Sequence, residues 1–158
     1  MADWQVDFYV VPRNAVTSRS ELPSAALDDF NWWGASEFPA DYQRQLSELA
    51  PLATSTHAEL ETWGPADGNR IGVWSADGHV RSVIVRVDVR KLDSRFGAAL
   101  LNFVRGAGAI LIRRDGLVVE PTIGAYAGAL RTSRAWKFAS DPVAFFKSQP
   151  AIEDDENG

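Results

Sequence analysis

Apolar and polar residues alternate over residues 4–11, with Trp4, Val6, Phe8 and Val10 on one side and Gln5, Asp7, Tyr9 and Val11 on the other. A period of two is that of a β-strand, and Pro12, which has no amide proton to donate, ends it. The same period returns in two hairpins. Residues 69–75 and 79–90 flank the turn Ala76-Asp77-Gly78, and residues 109–112 and 117–119 flank Arg114-Asp115-Gly116. An Asp-Gly pair between such runs is a strong hairpin signal, because glycine accepts the positive φ of a tight turn. In the longest run Val83, Val85, Val87 and Val89 alternate with Ser82, Ile84, Arg86, Asp88 and Arg90. One face is therefore core and the other largely polar, as in an antiparallel sheet covered on one side.

Helical spacing fills the intervals. Pro39 opens a helix over 39–50 with Tyr42, Leu46 and Leu49 on one side, and Pro51 closes it. Asp93 or Ser94 caps a second, whose stripe of Phe96, Leu100, Phe103 and Val104 is expected to pack on the valine face before Gly106 stops it. A third starts at Pro121-Thr122 with Ile123, Tyr126, Ala127 and Leu130 on one side, and a last short one starts at Asp141-Pro142 with Val143 and Phe146. Residues 13–35 hold no sustained period and read as a long connection with room for a helical turn, while residues 54–64 fit either a short helix or an edge strand. The order is that of an α+β fold: an antiparallel sheet with helices packed on one face, a ferredoxin-like core with an extra edge strand and C-terminal helices. It predicts a single domain over 1–152 followed by an acidic disordered tail, 153–158.

Composition narrows the function classes. With 158 residues, 46% hydrophobic and 11% aromatic, the chain can bury one core. A net charge of -5 and a pI near 5.0 oppose attraction to nucleic-acid phosphate. The absence of cysteine removes disulfides, thiol catalysis and thiolate metal sites. No basic leader or long apolar run is present, so the expectation is a cytoplasmic protein with no membrane partner.

Candidate chemistry is sparse. Of the two histidines, His79 follows a turn, and His57 stands near Glu59 and Glu61, where a carboxylate could orient it as a general base. No glycine-flanked serine accompanies them and no second cluster has metal spacing, so no catalytic residue, metal or cofactor is assigned. Gly106-Ala107-Gly108 lies between helix and strand, the reverse of a phosphate loop. Tyr9, Trp74, Arg86 and Arg90 project from the polar sheet face beside Asp7 and Asp88, an arrangement that stacks bases in RNA-binding sheets; the acidic balance and the lack of an RNP-type sequence argue against that use here. Phe30-Asn31-Trp32-Trp33-Gly34 sets aromatics in a connection, where Trp32 and Trp33 serve either as partner-binding anchors or as the packing that ties the loop down.

The pattern Trp63-Gly64, Asp67-Gly68-Asn69-Arg70-Ile71, Val85-Arg86-Val87-Asp88-Val89-Arg90 and Asp115-Gly116 with Glu120-Pro121 resembles a family of small, uncharacterised bacterial proteins, some of them similar to immunity proteins of toxin systems. The resemblance spans roughly the last two-thirds of the chain and carries no catalytic motif. It implies a bacterial cytosolic protein that inhibits a partner. The function expected is a non-enzymatic protein-binding or regulatory module, immunity-like, whose partner is another protein, a toxin or a second copy of itself. The alternative is a small-ligand-binding protein or enzyme with a pocket between the 13–38 loop and the sheet, its polar groups being His57, Glu59 and Arg86.

Overall fold

Every residue of the first strand is buried, which sets it at the centre of a sheet rather than at an edge. The computed structural model describes residues 2–17, 31–54 and 57–140. Its elements run β1 (Gln5–Pro12), α1 (Arg13–Thr17), α2 (Tyr42–Leu49), β2 (Leu52–Ala53), β3 (Leu60–Trp63), β4 (Arg70–Ala76), β5 (His79–Asp88), α3 (Ser94–Gly106), β6 (Ala109–Arg113), β7 (Val118–Val119), α4 (Ile123–Arg131) and α5 (Arg134–Ser140). The strands form one sheet in the order β2-β3-β4-β5-β1-β6-β7, and every pair is antiparallel. The protein is thus α+β, with a larger sheet than the strand order in the sequence suggested.

The register makes the first face continuous. Val6 pairs with Val87, Phe8 with Val85, Ile71 with Val85 and Val73 with Val83, so the alternating apolar residues of three strands meet on one side. Helices α2, α3 and α4 cover that side. Leu46 of α2 is fully buried, and Trp63 donates its indole proton to the Ser47 hydroxyl at 3.1 Å. Phe96, Leu100, Leu101, Phe103 and Val104 of α3 join the same core, and Tyr126 of α4 lies against Phe8 with ring centroids 5.9 Å apart. Caps fix where the helices begin. The Asp93 carboxylate accepts from the amides of Arg95 and Phe96, and the Thr122 hydroxyl accepts from Ala125, each answering amides that a first turn leaves unpaired.

The expected elements recur with four differences. The ambiguous stretch 54–64 supplies β3, a strand, because its register with β4 pairs Leu60 with Trp74 and Trp63 with Ile71. Residues 52–53 add a further edge strand. The helix expected from Pro39 starts at Tyr42, whose amide donates to the Pro39 carbonyl. The third helix stops at Arg131 and a separate α5 follows, capped by the Ser133 hydroxyl accepting from the Trp136 amide at 3.1 Å. The helix expected from Asp141, with Val143 and Phe146, and the acidic tail 153–158 lie outside the described residues.

Gly64 holds the β3–β4 connection at φ +103, and a Cβ there would stand 2.3 Å from the Asn69 carbonyl oxygen. Gly78, in the β4–β5 turn, also has positive φ (+79) but nothing within 4 Å of that position. Gly78→Ala should therefore cost only the left-handed conformation, about 1–2 kcal/mol, whereas Gly64→Ala should destabilise well beyond that, as urea unfolding of the two variants will show.

Candidate functional site

The second face of the sheet divides into two halves. Tyr9, Val11, Ile110 and Ile112, on β1 and β6, are buried at 2% exposure or less. Leu60, Arg70, Gly72, Trp74, Ile84 and Arg86, on β3, β4 and β5, are only half-buried. Register puts these together: Leu60 pairs with Trp74, and Gly72 with Ile84, while Arg70 pairs with Arg86. They line a shallow dish of about 240 Å³. Of the residues expected on this face, Tyr9 is therefore covered, Trp74 and Arg86 border the open dish, and Arg90 projects beyond the end of β5.

Charges on this face are held in pairs, with one exception. Asp7, 3% exposed, accepts from Arg86 at 3.0 and 3.4 Å and from Arg114 at 3.3 Å. Asp88, fully buried, accepts from the Arg90 amide at 2.9 Å and from its guanidinium at 3.2 and 3.0 Å. Arg90 in turn lies 3.8 Å over the Trp4 ring, a cation–π contact. Burial pushes the Asp88 carboxyl upward, but the Arg90 hydrogen bonds and charge outweigh it and hold the group below the usual carboxylate range. Elsewhere, Arg113 closes the end of α4 by donating to the Ala129 carbonyl at 2.7 Å and the Thr132 hydroxyl at 2.8 Å.

Arg70 is the exception. Three arginines among the described residues are half-buried, namely Arg70, Arg86 and Arg113. The latter two are fully engaged by carboxylates and carbonyls. The Arg70 guanidinium makes no hydrogen bond or ion pair among the described residues, and its cross-strand neighbour is another cation. Burial, and then the Arg86 charge, lower its pKa from the ordinary arginine value. A period-two count along β4 places Arg70, Gly72 and Trp74 on one side, a signal present in the sequence.

The residues singled out from the sequence fall in different places. Trp32 and Trp33 are both buried, at 4% and 3% exposure, which favours packing over anchoring among the two expectations for them. Trp33 donates its indole proton to the Val10 carbonyl at 2.8 Å and meets Phe38 edge-on at 4.8 Å, so packing is its role. His57 is exposed, lies edge-on to Trp74 at 5.0 Å, and accepts a long 3.4 Å contact from the Glu59 amide. Glu59 is exposed and Arg86 is committed to Asp7. A groove of about 680 Å³ does run between the 33–40 loop and the β4–β5 turn. None of His57, Glu59 and Arg86 lines it; its polar side chains are those of Ser36, Glu37, Tyr42 and His79. The two histidines thus belong to separate surfaces, and among the described residues no three His, Asp or Glu side chains gather to hold a metal ion. No helix of the described residues is long and apolar enough to cross a membrane.

Comparison with protein-family models, with curated proteins and with solved structures finds no match to this chain. The dish offers recognition chemistry: an unmatched cation, apolar walls and an aromatic edge.

The Asp88 pair gives this region a pH signature. A carboxyl held below its unfolded value of about 3.9 contributes stability that is present above that pH and lost as pH falls through the folded value. Asp88→Asn should lower the unfolding midpoint at pH 7 and flatten its fall below pH 4, measured by thermal unfolding across pH 2–7.

Proposed function

We propose that this chain is a non-enzymatic protein-binding module whose contact surface is the open half of the second sheet face, on β3, β4 and β5. One observation carries the reading: a half-buried arginine with no counter-charge among the described residues sits beside half-buried Leu60, Trp74 and Ile84, on the same face whose other half is closed. Such an arrangement detracts from the stability of the isolated chain, since like charges directly opposite one another in a ladder are unfavourable. Aromatic and arginine side chains are also the types that anchor protein interfaces.

The centre of the sheet, β6-β1-β5-β4, with α2 among the elements between β1 and β4 and with α3 between β5 and β6, supports a ferredoxin-like reading extended by β2, β3 and β7. Fold alone assigns no activity. In the immunity-like reading, the partner is a toxin met in the bacterial cytoplasm, and this surface blocks it. A small-ligand reading has its own support in the groove of about 680 Å³, a size that accepts a drug-sized molecule. Its polar contacts would come from Ser36, Glu37 and His79 in place of His57, Glu59 and Arg86.

Two measurements test the contact surface. Arg70→Thr should leave the unfolding midpoint unchanged or raise it, by up to about 1 kcal/mol of relieved repulsion; a marked loss of stability would make Arg70 a structural residue. Proteins captured from a bacterial lysate by the wild-type chain should be lost with the Leu60→Glu/Trp74→Ala variant and kept with Ile123→Glu, which changes an exposed position on α4. Equal retention by the two folded variants, checked by circular dichroism, would remove this face from the proposal.

A further inference from the structure

The geometry points to a specific occupant for the dish: we propose that it binds a carboxylate side chain from an acidic segment of the protein partner, with Arg70 as the anchoring cation and Arg86 as its neighbour. This rests on the reading of that face as a contact surface and names what the surface recognises.

Four observations converge. The first is the unmet charge. Asp7 already serves Arg86 and Arg114, so Arg70, the cross-strand neighbour of Arg86, is left without an acceptor among the described residues. A guanidinium is a rigid fork that matches a carboxylate in two parallel hydrogen bonds, and its charge is not shed at any physiological pH. The second is the missing side chain at Gly72. This glycine is in the middle of β4, away from the irregularity at Trp74/Ser75, and its φ is not in the left-handed range. The backbone there does not require glycine, and a strand interior is weakened by one. What a side chain at that position would do is fill the dish, since an added Cβ meets Leu60 at ordinary contact distance, 3.4 Å. Glycine in such a place keeps the floor clear for an approaching group.

The third is size. About 240 Å³ is smaller than the pockets that hold drug-sized ligands, roughly 300–1,000 Å³, and suits one side chain more than a nucleotide. The fourth is the balance of charge over the whole molecule. A nucleic acid brings a continuous rail of phosphates that would extend beyond the dish over a chain of net charge -5. A peptide can place one carboxylate between the arginines and lay apolar neighbours on Leu60, Trp74 and Ile84.

The test is a titration of the full chain followed by proton–nitrogen correlation spectra, with the Trp74 indole signal assigned through Trp74→Phe. The probes are a capped tetrapeptide that sets one glutamate among apolar residues, its glutamine counterpart, and a short single-stranded oligonucleotide. The acidic peptide should move the Trp74 indole and Arg70 side-chain signals saturably, and the neutral peptide should not. Arg70→Gln should weaken binding at least tenfold. Gly72→Val, which keeps both cations and fills the floor, should do the same, while Arg13→Gln, remote and paired with Glu120, should bind as the wild type does. Equal binding by wild type and Arg70→Gln, or equal shifts with the neutral peptide, would overturn the assignment. Tighter binding of the oligonucleotide than of the peptide at the same signals would overturn the choice of carboxylate. If lysate capture depends on Leu60 and Trp74 but the acidic peptide moves neither signal, the contact surface stands and the carboxylate assignment falls. If the peptide binds as described and capture is indifferent to those residues, the carboxylate site stands and the partner surface falls.

Discussion

A strand paired on both sides and covered on both faces can carry a charge only if the counter-charge is brought to it. β1 is such a strand, and Asp7 is its charge. Removing a carboxylate from water costs several kcal/mol unless its oxygens are met. Arg86 from β5 meets it on one side and Arg114, just past β6, on the other, while the Arg114 amide donates to the Asp7 carbonyl at 3.0 Å. The carboxylate therefore joins the three central strands at one level. A slip of one residue in either ladder would turn Asp7 toward the valine core, so the pair of arginines also guards the register.

This arrangement explains the uneven second face. Where β1 and β6 are, the face is apolar and closed, with Asp7 and Asp88 at its border and their arginines reaching outward. One strand further out, on β4, the row that holds Asp7 and Arg86 supplies no second buried acid, and Arg70 is left beside Arg86. The open dish is the margin of the charge pattern that holds the centre together. Its chemistry is set by which strand carries the acids, and its emptiness by Gly72.

Much of the fold was legible because period and turn chemistry agreed. Both Asp-Gly hairpins, the valine face, the Asp93 cap and the Thr122 cap all follow from local sequence. The β3 strand was not separable from a helix, since four residues are too few for periodicity to decide; its strand identity comes from pairing with β4. The stop between α4 and α5 was hidden because Thr132 and Ser133 satisfy the backbone through their own hydroxyls, without the glycine or proline that usually marks a break. The site was harder still. Trp32 and Trp33 stood out by size, yet large aromatics in a connection more often pack than bind, and here both are core. Arg70 carries no local mark of a site residue, because the absence of a counter-charge is a property of three dimensions.

The sheet ends on β2 and β7, each a ladder of two residues. Backbone pairing grows by one strand joining another along its length, and a two-residue rim supplies little template for that addition. Association through these rims, whether with a second copy or in a growing fibre, would gain little. Short rims are thus a way for a sheet of seven antiparallel strands to keep its edges from acting as templates.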